Sequence, residues 1–544
     1  MSVSWTTEQN NRFPKLNNDK GIGLPVSSHH RMMTDKIGLV IFGIVMIVLI
    51  PFLAYTLSKS DIRRLNQPYD SCGDFCGENN ENIDGVNCSG KDLREKPFLS
   101  YNIWNNDFIC SKKNMSYFFV NTDSSNKTKI ISQYLLNYDF EEWDKFLITT
   151  LITGALCTLI MILFRFVPGL IVWGVIILGV ILLFVISYLF WFASVYNEYK
   201  PSYTYPAIFF TVFTFVIIFI LYALYKKIQL IKLLYGETAK AIFGIPFVLC
   251  LPVITFLIQF ALVALLVLSL SYMFTAGVPV SYGDDRYKFE LNDAMVFTII
   301  FTCIVAAWGL EFLAGCQYMI TAGSVAHWFF KKKTSRCIIL TSTINTLKFH
   351  LGTIVIGSVI VMIINIIKFL LKSIGKLKYC CCGACTCCTP TTCSPCCCDC
   401  QTVINIIKYL SKNAYIETAI RGKPFVASGK RAVTLLFKNA VSMIALNYVG
   451  DFILAITQFV LIAISTGIAY LFFMDKPYLT FISFVINIII VFVLFSTFQT
   501  TVDTLFICFC EDKLCSNGVS KPYRMPKNLM KFVNDSQKLY NEKH

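Results

Sequence analysis

Charge is what this sequence has least of. Asp, Glu, Lys and Arg make up 15% of its 544 residues, whereas 55% are hydrophobic. A soluble domain carries about 25% charged residues, so the deficit excludes an ordinary water-soluble globule, and the mean hydropathy of +0.60 agrees. Its apolar runs lack the period-two alternation of barrel strands, which excludes a transmembrane β-barrel and leaves helices as the way to satisfy the backbone in lipid. Residues 1–36 are polar and the first apolar run is long enough to span, so no cleavable leader is expected and that run serves as its own insertion signal. The lysines are scattered at the edges of apolar runs rather than gathered with stacking aromatics, which argues against nucleic-acid binding.

What is present is a series of long apolar segments. A helix needs about 20 mainly apolar residues to cross about 30 Å of hydrocarbon. Eight runs pass: 37–57, 146–164, 167–195, 206–225, 246–275, 294–322, 446–474 and 478–510. The expected fold is an all-α, polytopic transmembrane helical bundle, and several runs exceed the minimum length, which implies tilt or extension beyond the lipid.

Sidedness follows from charge. The stretch 59–144 holds ten Lys/Arg and fourteen Asp/Glu, while the basic surplus gathers at Tyr225–Lys232, Lys331–Arg336, Lys372–Lys378 and the tail after Glu511. Positive charge in short loops marks the cytosolic side. The acidic stretch also carries glycosylation sequons at Asn87, Asn114 and Asn126 and four cysteines, Cys72, Cys76, Cys88 and Cys110. It reads as an extracellular loop with two disulfides, in one of three pairings. A further sequon at Asn534 falls in the expected cytosolic tail. Eight crossings put both termini in the cytosol.

A ninth run, 350–371, has basic flanks, and the following candidate, Thr402–Ile420, contains Lys408, Lys412 and Glu417. Either the two form a further pair of crossings, giving ten, or both are re-entrant or lie along the inner interface. The spacing Val403, Ile406, Ile407, Leu410 is amphipathic and suits an in-plane helix. Residues 226–243, punctuated by Lys226, Lys227, Lys232 and Lys240, read as a basic helix on the inner leaflet or as a short cytosolic connector. The chain thus divides into a cytosolic tail (1–36), a first transmembrane helix (37–57), the acidic loop (59–144) and helices two to six (145–330). A basic, cysteine-rich, membrane-associated segment with one or two further helices (331–445), the last two transmembrane helices (446–510) and a cytosolic tail (511–544) complete it.

Eleven of the 23 cysteines lie within 380–400. C-x-x-C pairs occur at Cys382/Cys385, Cys393/Cys396 and Cys397/Cys400, but so dense a run creates such pairs by chance and no histidine assists, so no metal site is assigned. Cysteines beside a basic juxtamembrane strip suit S-acylation, with Cys380, Cys381, Cys382, Cys396, Cys397 and Cys398 as candidates. The alternatives are a reduced low-complexity connector, or disulfides if a ten-crossing topology puts the run outside.

The polar residue that stands out is Glu311, in the middle of "WGLEFLAGCQYM". A carboxylate at a helix centre costs about 2.5 to 3.5 kcal/mol on insertion scales, so it should face the bundle interior and have a partner there. Helical spacing places Trp308, Glu311, Gly315 and Tyr318 on one stripe, with Gln317 beside it. An anion framed by aromatic faces suits an organic cation, to which a ring contributes about 2 kcal/mol once water is removed. The competing reading is that Glu311 bonds a neighbouring helix and the rings merely pack. Trp173 and Trp191 could complete a cage or mark the interface. Asp451 and Asp503 fit helix-end hydrogen bonds or a lysine partner, and Arg165 a topology anchor.

At this stripe the chain resembles the choline transporter-like family of solute carriers. The blocks that carry the resemblance are 308–330, "FHLGTIVIGS" (349–358), "LSKNAYIETAI" (410–420), "LNYVGDF" with "STGIA" (446–469) and "VDTLFICFCEDK" (502–513), in family order and spacing. The resemblance covers roughly the C-terminal half. It implies ten membrane helices, transport of choline or in some members ethanolamine across plasma or organelle membranes for phospholipid synthesis, and no cofactor. "KPFVAS" (423–428) departs by lacking a cysteine often found there. The expected function is facilitative carriage of choline or a related small amine by alternating access, driven by gradient and membrane potential. Trp308, Glu311, Gly315, Gln317, Tyr318 and Trp173 are the candidate substrate contacts. Two rivals are a membrane acyltransferase with His350 as base, for which only Thr353 offers a second polar group, and a receptor-like protein acting through the glycosylated loop. Oligomeric state is not legible.

Overall fold

The computed structural model describes residues 25–26, 28–83, 85–102, 107–112, 143–196, 201–245, 247–283, 286–331, 337–381, 410–439, 442–443, 446–474, 476–515 and 524–531. Its long helices are α1 (Lys36–Ser58), α2 (Trp143–Phe166), α3 (Pro168–Tyr196), α4 (Pro201–Ala223), α5 (Tyr225–Gly244), α6 (Cys250–Thr275) and α7 (Asp293–Lys331). They continue with α8 (Ile338–Phe349), α9 (Leu351–Cys381), α10 (410–421), α11 (Phe425–Lys438), α12 (Asp451–Phe472) and α13 (Pro477–Cys515). The polytopic helical bundle expected from the apolar runs is what the chain forms. Among the described residues nine helices are long and apolar enough to cross a membrane, and they comprise the eight expected runs and Leu351–Leu370.

Two helices outrun the bilayer. At about 1.5 Å per residue, the 39 residues of α7 and of α13 extend to roughly 58 Å, against about 30 Å of hydrocarbon. Their ends therefore carry chemistry beyond the lipid core. The half of α13 from Phe495 to Asp512 is largely buried by protein, whereas large apolar side chains along α6, such as Leu257, Phe260 and Leu265, are exposed, as a lipid-facing surface requires.

The chain separates into two units, one made of residues 1–39, 143–256 and 311–544, the other of 40–142 and 257–310. In the second unit the acidic loop has few apolar residues to bury, and Cys76, Leu93 and Cys110 form its small core. Covalent staples supply the rest: Cys72 pairs with Cys88 and Cys76 with Cys110, which resolves the three possible pairings. Asp74, fully buried, accepts from the backbone N–H of Gly90 and Lys91 and holds the loop's turns. Strand β1 (Phe98–Asn102) pairs antiparallel with β2 (Asp107–Ser111). The segment between α6 and α7 forms a second hairpin, β3 (Val278–Gly283) with β4 (Arg286–Glu290), which apolar-run reading passed over. Arg64 lies over the Phe289 ring at 3.9 Å and donates to the Thr275 carbonyl, so loop and hairpin pack together.

Two helices differ from expectation in the first unit. The lysine-punctuated helix α5 is not a surface element along its length: Ile228, Leu230, Ile231, Leu234 and Tyr235 are buried, and the Tyr235 hydroxyl donates to the Gly450 carbonyl at 2.8 Å. In α10, Ala414, Tyr415, Ile416, Glu417, Thr418, Ala419 and Ile420 are all buried by protein, and the amphipathic stretch Val403–Ile407 lies outside the described residues. Hydropathy marks both as less apolar than a span because their surroundings are protein rather than lipid. Cys380 and Cys381 end α9, while Cys382, Cys396, Cys397 and Cys398, like Asn114, Asn126 and Asn534, fall outside the described residues. Asn87 is described and exposed.

Candidate functional site

The candidate site grows out of close approaches that only glycine allows. A Cβ on Gly315 of α7 would stand 2.9 Å from Ile354 of α9 and 3.4 Å from the Tyr415 hydroxyl of α10. One on Gly357 of α9 would stand 2.2 Å from that same hydroxyl. The Tyr415 phenol is therefore inserted where α7, α9 and α10 meet, and its hydroxyl donates to the Ile354 carbonyl at 3.3 Å. Side chains at either glycine would hold the helices apart.

Along the face of α7 that this crossing exposes, the polar groups meet α9 and α13. Asn365 of α9 donates to a Glu311 carboxylate oxygen at 2.6 Å. Gln317 donates to Ser496 of α13 at 3.2 Å, and the Tyr318 hydroxyl donates to Asp503 of α13 at 2.9 Å. Lys412 of α10 places its ammonium 5.7 Å from the Tyr318 ring centre, within cation–π reach. Asp451 at the start of α12 accepts from Gln499 at 3.3 Å. Glu311, Gly315 and Tyr318 thus share one face of α7 in the first unit, with Gln317 about a third of a turn away.

Glu311 is half-buried, and among the described residues no Lys, Arg or His lies within ion-pair distance of it. Its partner Asn365 is neutral. The bond to a neighbouring helix is present, as the competing reading required, but among the described residues it brings the Glu311 carboxyl no cationic partner. A buried or half-buried carboxylate of this kind attracts a cation.

The aromatic candidates are dispersed. Trp308 belongs to the second unit, where it is 5% exposed and meets Phe42 edge-on at 5.5 Å. Trp173 lies against Tyr225 at 5.6 Å, and Trp191 donates to Thr211 at 3.0 Å. Sequence reasoning missed Tyr415, Asn365 and Lys412 as members of the group. The glycines Gly315 and Gly357, standing among bulky apolar neighbours, were the available signal for a close helix crossing.

His350 is a buried structural group. Arg31 can only donate, so His350 Nε2 accepts from it at 2.9 Å, and Nδ1 carries the proton that reaches Thr34 Oγ1 at 2.9 Å. Thr34 contacts Thr353 at 2.6 Å, and Thr353 donates to Asp35 at 2.6 Å. Burial, with the positive Arg31 alongside, lowers the His350 pKa to about 3. Neither ring nitrogen is open to a substrate, which removes the geometric basis for a His350 base.

The comparisons with known proteins follow this geometry. Residues 208–514 match the family model described as plasma-membrane choline transporter, more than half of the chain. Choline transporter-like protein 1 of Torpedo marmorata is 29% identical over 328 residues, covering 58% of this chain and 50% of the relative. Choline transporter-like protein 2 of Dictyostelium discoideum is 28% identical over 331 residues, with coverage of 58% and 51%. Choline transporter-like protein 3 of Bos taurus is 26% identical over 615 residues, covering 94% of this chain and 93% of the relative. The first two alignments span about half the length of those relatives.

Proposed function

This chain belongs to the plasma-membrane choline transporter family, and from that premise we propose that it carries choline, or a related small amine such as ethanolamine, across the plasma membrane. The carriage is facilitative and proceeds by alternating access, with both termini in the cytosol and no cofactor. An organelle membrane is a second location.

The observation that supports this reading is the carboxylate of Glu311, which meets no cationic partner among the described residues and is held by the neutral amide of Asn365 within a membrane-spanning helix. Choline carries a fixed positive charge and a greasy trimethylammonium shell. It gives up little hydration, and a carboxylate with phenol faces can replace that hydration within the bilayer. The roles assigned are charge balance for Glu311, orientation of that carboxylate for Asn365, the close helix approach that brings Tyr415 beside the carboxylate for Gly315, and ring contact for Tyr318 and Tyr415. Gln317 supplies a polar edge. Trp308 and Trp173 remain further candidate contacts, each with one ring neighbour, Phe42 and Tyr225.

One charge moving through about 100 mV gains about 2.3 kcal/mol, close to a fiftyfold gradient. Inward movement therefore needs no coupling ion. The test is uptake of labelled choline into sealed vesicles containing the purified protein, with and without an imposed potential. Saturable uptake that rises with interior-negative potential is expected, and Glu311→Gln should lower it about thirtyfold, the loss of about 2 kcal/mol of charge-pair stabilisation, at unchanged surface expression. Wild-type kinetics in that variant would remove Glu311 from the mechanism, and no choline flux at all would remove the substrate.

A further inference from the structure

A second polar site lies away from the Glu311 face, at the far end of α7. An open cavity of ≈ 260 Å³ is lined by Pro25, Val26, His29 and Arg31, the last three turns of α7, the helix α8, His350 and Ala419 of α10. It falls below the roughly 300–1,000 Å³ of drug-sized pockets, so its occupant is small. The wall between α7 and α8 is tight: a Cβ on Gly323 would stand 2.4 Å from the Ser342 hydroxyl, which donates to the Ile320 carbonyl at 2.8 Å.

The chemistry of the lining has one sign. Arg31 and Lys331 bring basic side chains, His29 and His327 imidazoles and Asn345 an amide, and among the described residues no Asp or Glu lines the cavity. Arg31 is held at its back by protein acceptors: its Nε donates to the Val26 carbonyl at 3.1 Å, its guanidinium to the Ala419 carbonyl at 2.5 Å and to His350. None of these is a carboxylate, and burial alone lowers the Arg31 pKa to about 10. The protein thus places a guanidinium in a partly buried position where, among the described residues, it meets no carboxylate. His327 Nδ1 is buried with no hydrogen-bond partner, an unmet polar atom in the same wall. Native structures rarely leave such a group unpaired without a ligand or water to meet it.

We infer that this cavity is a binding site for a phosphate-bearing anion, taken either as a free phosphate or as the head group of an anionic lipid. Two basic side chains match the charge of a phosphate monoester, and the amide and imidazole supply further donors to its tetrahedral oxygens. A carboxylate ligand would leave one of the two cations unbalanced. Because Arg31 ties the segment Pro25–Arg31 to Ala419 and His350, an anion bound to it is also bound to the chain that seals the inner end of α9. The site is independent of choline recognition, since it holds no carboxylate or aromatic face for a quaternary ammonium.

The test uses the full-length protein, purified free of phospholipid in detergent or returned to nanodiscs of neutral lipid with and without phosphatidylinositol bisphosphate. Thermal unfolding reports binding of two probes, inorganic phosphate and a soluble short-chain phosphoinositide. The expected result is a saturable rise in unfolding temperature. Lys331→Gln and His327→Gln, whose side chains make no hydrogen bond or ion pair with the described protein, should each weaken the response about tenfold, the worth of one charge-assisted hydrogen bond. Arg31→Gln should abolish it and Arg31→Lys restore part; because Arg31 also holds Ala419 and His350, the Lys331 and His327 pair decide. Protection by inorganic phosphate identifies a free anion, and protection only by the phosphoinositide identifies a lipid head group; both support the site. No protection by either probe, or protection that survives Lys331→Gln and His327→Gln unchanged, overturns it.

Discussion

Asn365 and Glu311 face each other where α9 meets α7, with amide nitrogen and carboxylate oxygen 2.6 Å apart. The bond can orient the carboxylate for a cation, or simply tie two helices, and the two roles separate by kinetics. If it orients, Asn365→Ala leaves the charge in place but loose, and KM for choline rises about tenfold, the worth of one hydrogen bond to a charged group. Maximal rate changes little. If it only ties helices, unfolding temperature falls while KM stays at the wild-type value, and the orienting role is lost. Uptake titrated against choline in sealed vesicles, alongside thermal unfolding, reads both.

The Tyr415 insertion makes a packing prediction. Gly357→Ala would place a methyl within 2.2 Å of the Tyr415 hydroxyl, and overpacking of this kind costs about 1–3 kcal/mol. The unfolding temperature should fall accordingly. Tyr415→Ala opens the space, so the double variant should be less unstable than the sum of the two single changes. Strict additivity in that cycle would show that the two residues do not meet.

Much of the fold was legible because membrane helices declare themselves by length, and Glu311 declared itself by being a charge where charge is costly. The parts that were not legible share one physical cause: hydropathy reports how apolar a segment is, and does not distinguish lipid from protein as its surroundings. Thus α5 and α10, with their lysines and glutamates, resembled surface helices, yet Tyr235 and Glu417 are buried. Asn365 and Tyr415 escaped notice because their partners, Glu311 and Gly357, lie 54 and 58 residues away in sequence, and no periodicity within one helix reveals a contact between two. The hairpin Val278–Glu290 was hidden by its position between two long apolar runs.

A buried charge network stabilises the end of α13. Glu511 accepts from both Arg421 and Arg431, with Nη2 of each 2.8 Å from one oxygen. Glu417 lies 2.9 Å from Arg421 Nε and 3.1 Å from Arg431 Nε. The two guanidiniums hold Glu511 as a carboxylate, whereas burial and the neighbouring Glu511 raise the pKa of Glu417. Removing one member leaves a buried charge uncompensated, at a cost of about 3–5 kcal/mol. Glu511→Gln should lower the unfolding temperature more than Glu417→Gln, because Glu511 alone accepts hydrogen bonds from both guanidiniums. Equal or inverted losses would reassign the anchor to Glu417.

The loop staples are testable by peptide mapping under non-reducing conditions, which should recover Cys72 joined to Cys88 and Cys76 joined to Cys110. Chain-entropy arithmetic gives about 3 kcal/mol for the loop closed over a separation of 16 residues and about 4 kcal/mol for that of 34. Replacing Cys76 and Cys110 by serine should therefore unfold the loop more readily than replacing Cys72 and Cys88, as read by limited proteolysis. In the same preparation Asn87, exposed beside Cys88, should carry glycan, and Asn87→Gln should shorten the glycan mass by one chain. A cross-linked peptide joining Cys72 to Cys76 or Cys110 would contradict the pairing.

His350 provides a pH dependence whose sign can be worked out. In the folded chain its ring is neutral, with the pKa lowered by burial and then by Arg31 from 6.5 to about 3. The groups that face it are Arg31 at Nε2 and Thr34 at Nδ1, with Asp35 reached through Thr353. Between those two pKa values the unfolded chain binds a proton that the native chain does not. The stabilisation is thus complete above pH 6.5 and is lost progressively as pH falls toward 3. From about pH 7.5 to about pH 5 the loss amounts to about 2 kcal/mol. His350→Gln removes this term, so its unfolding temperature should decline less steeply over that interval than the wild type's, even though it starts lower for want of the imidazole's packing. Parallel acid limbs for the two proteins would mean that His350 is protonated equally in both states, and the neutral tautomer joining Arg31 to Thr34 would be wrong.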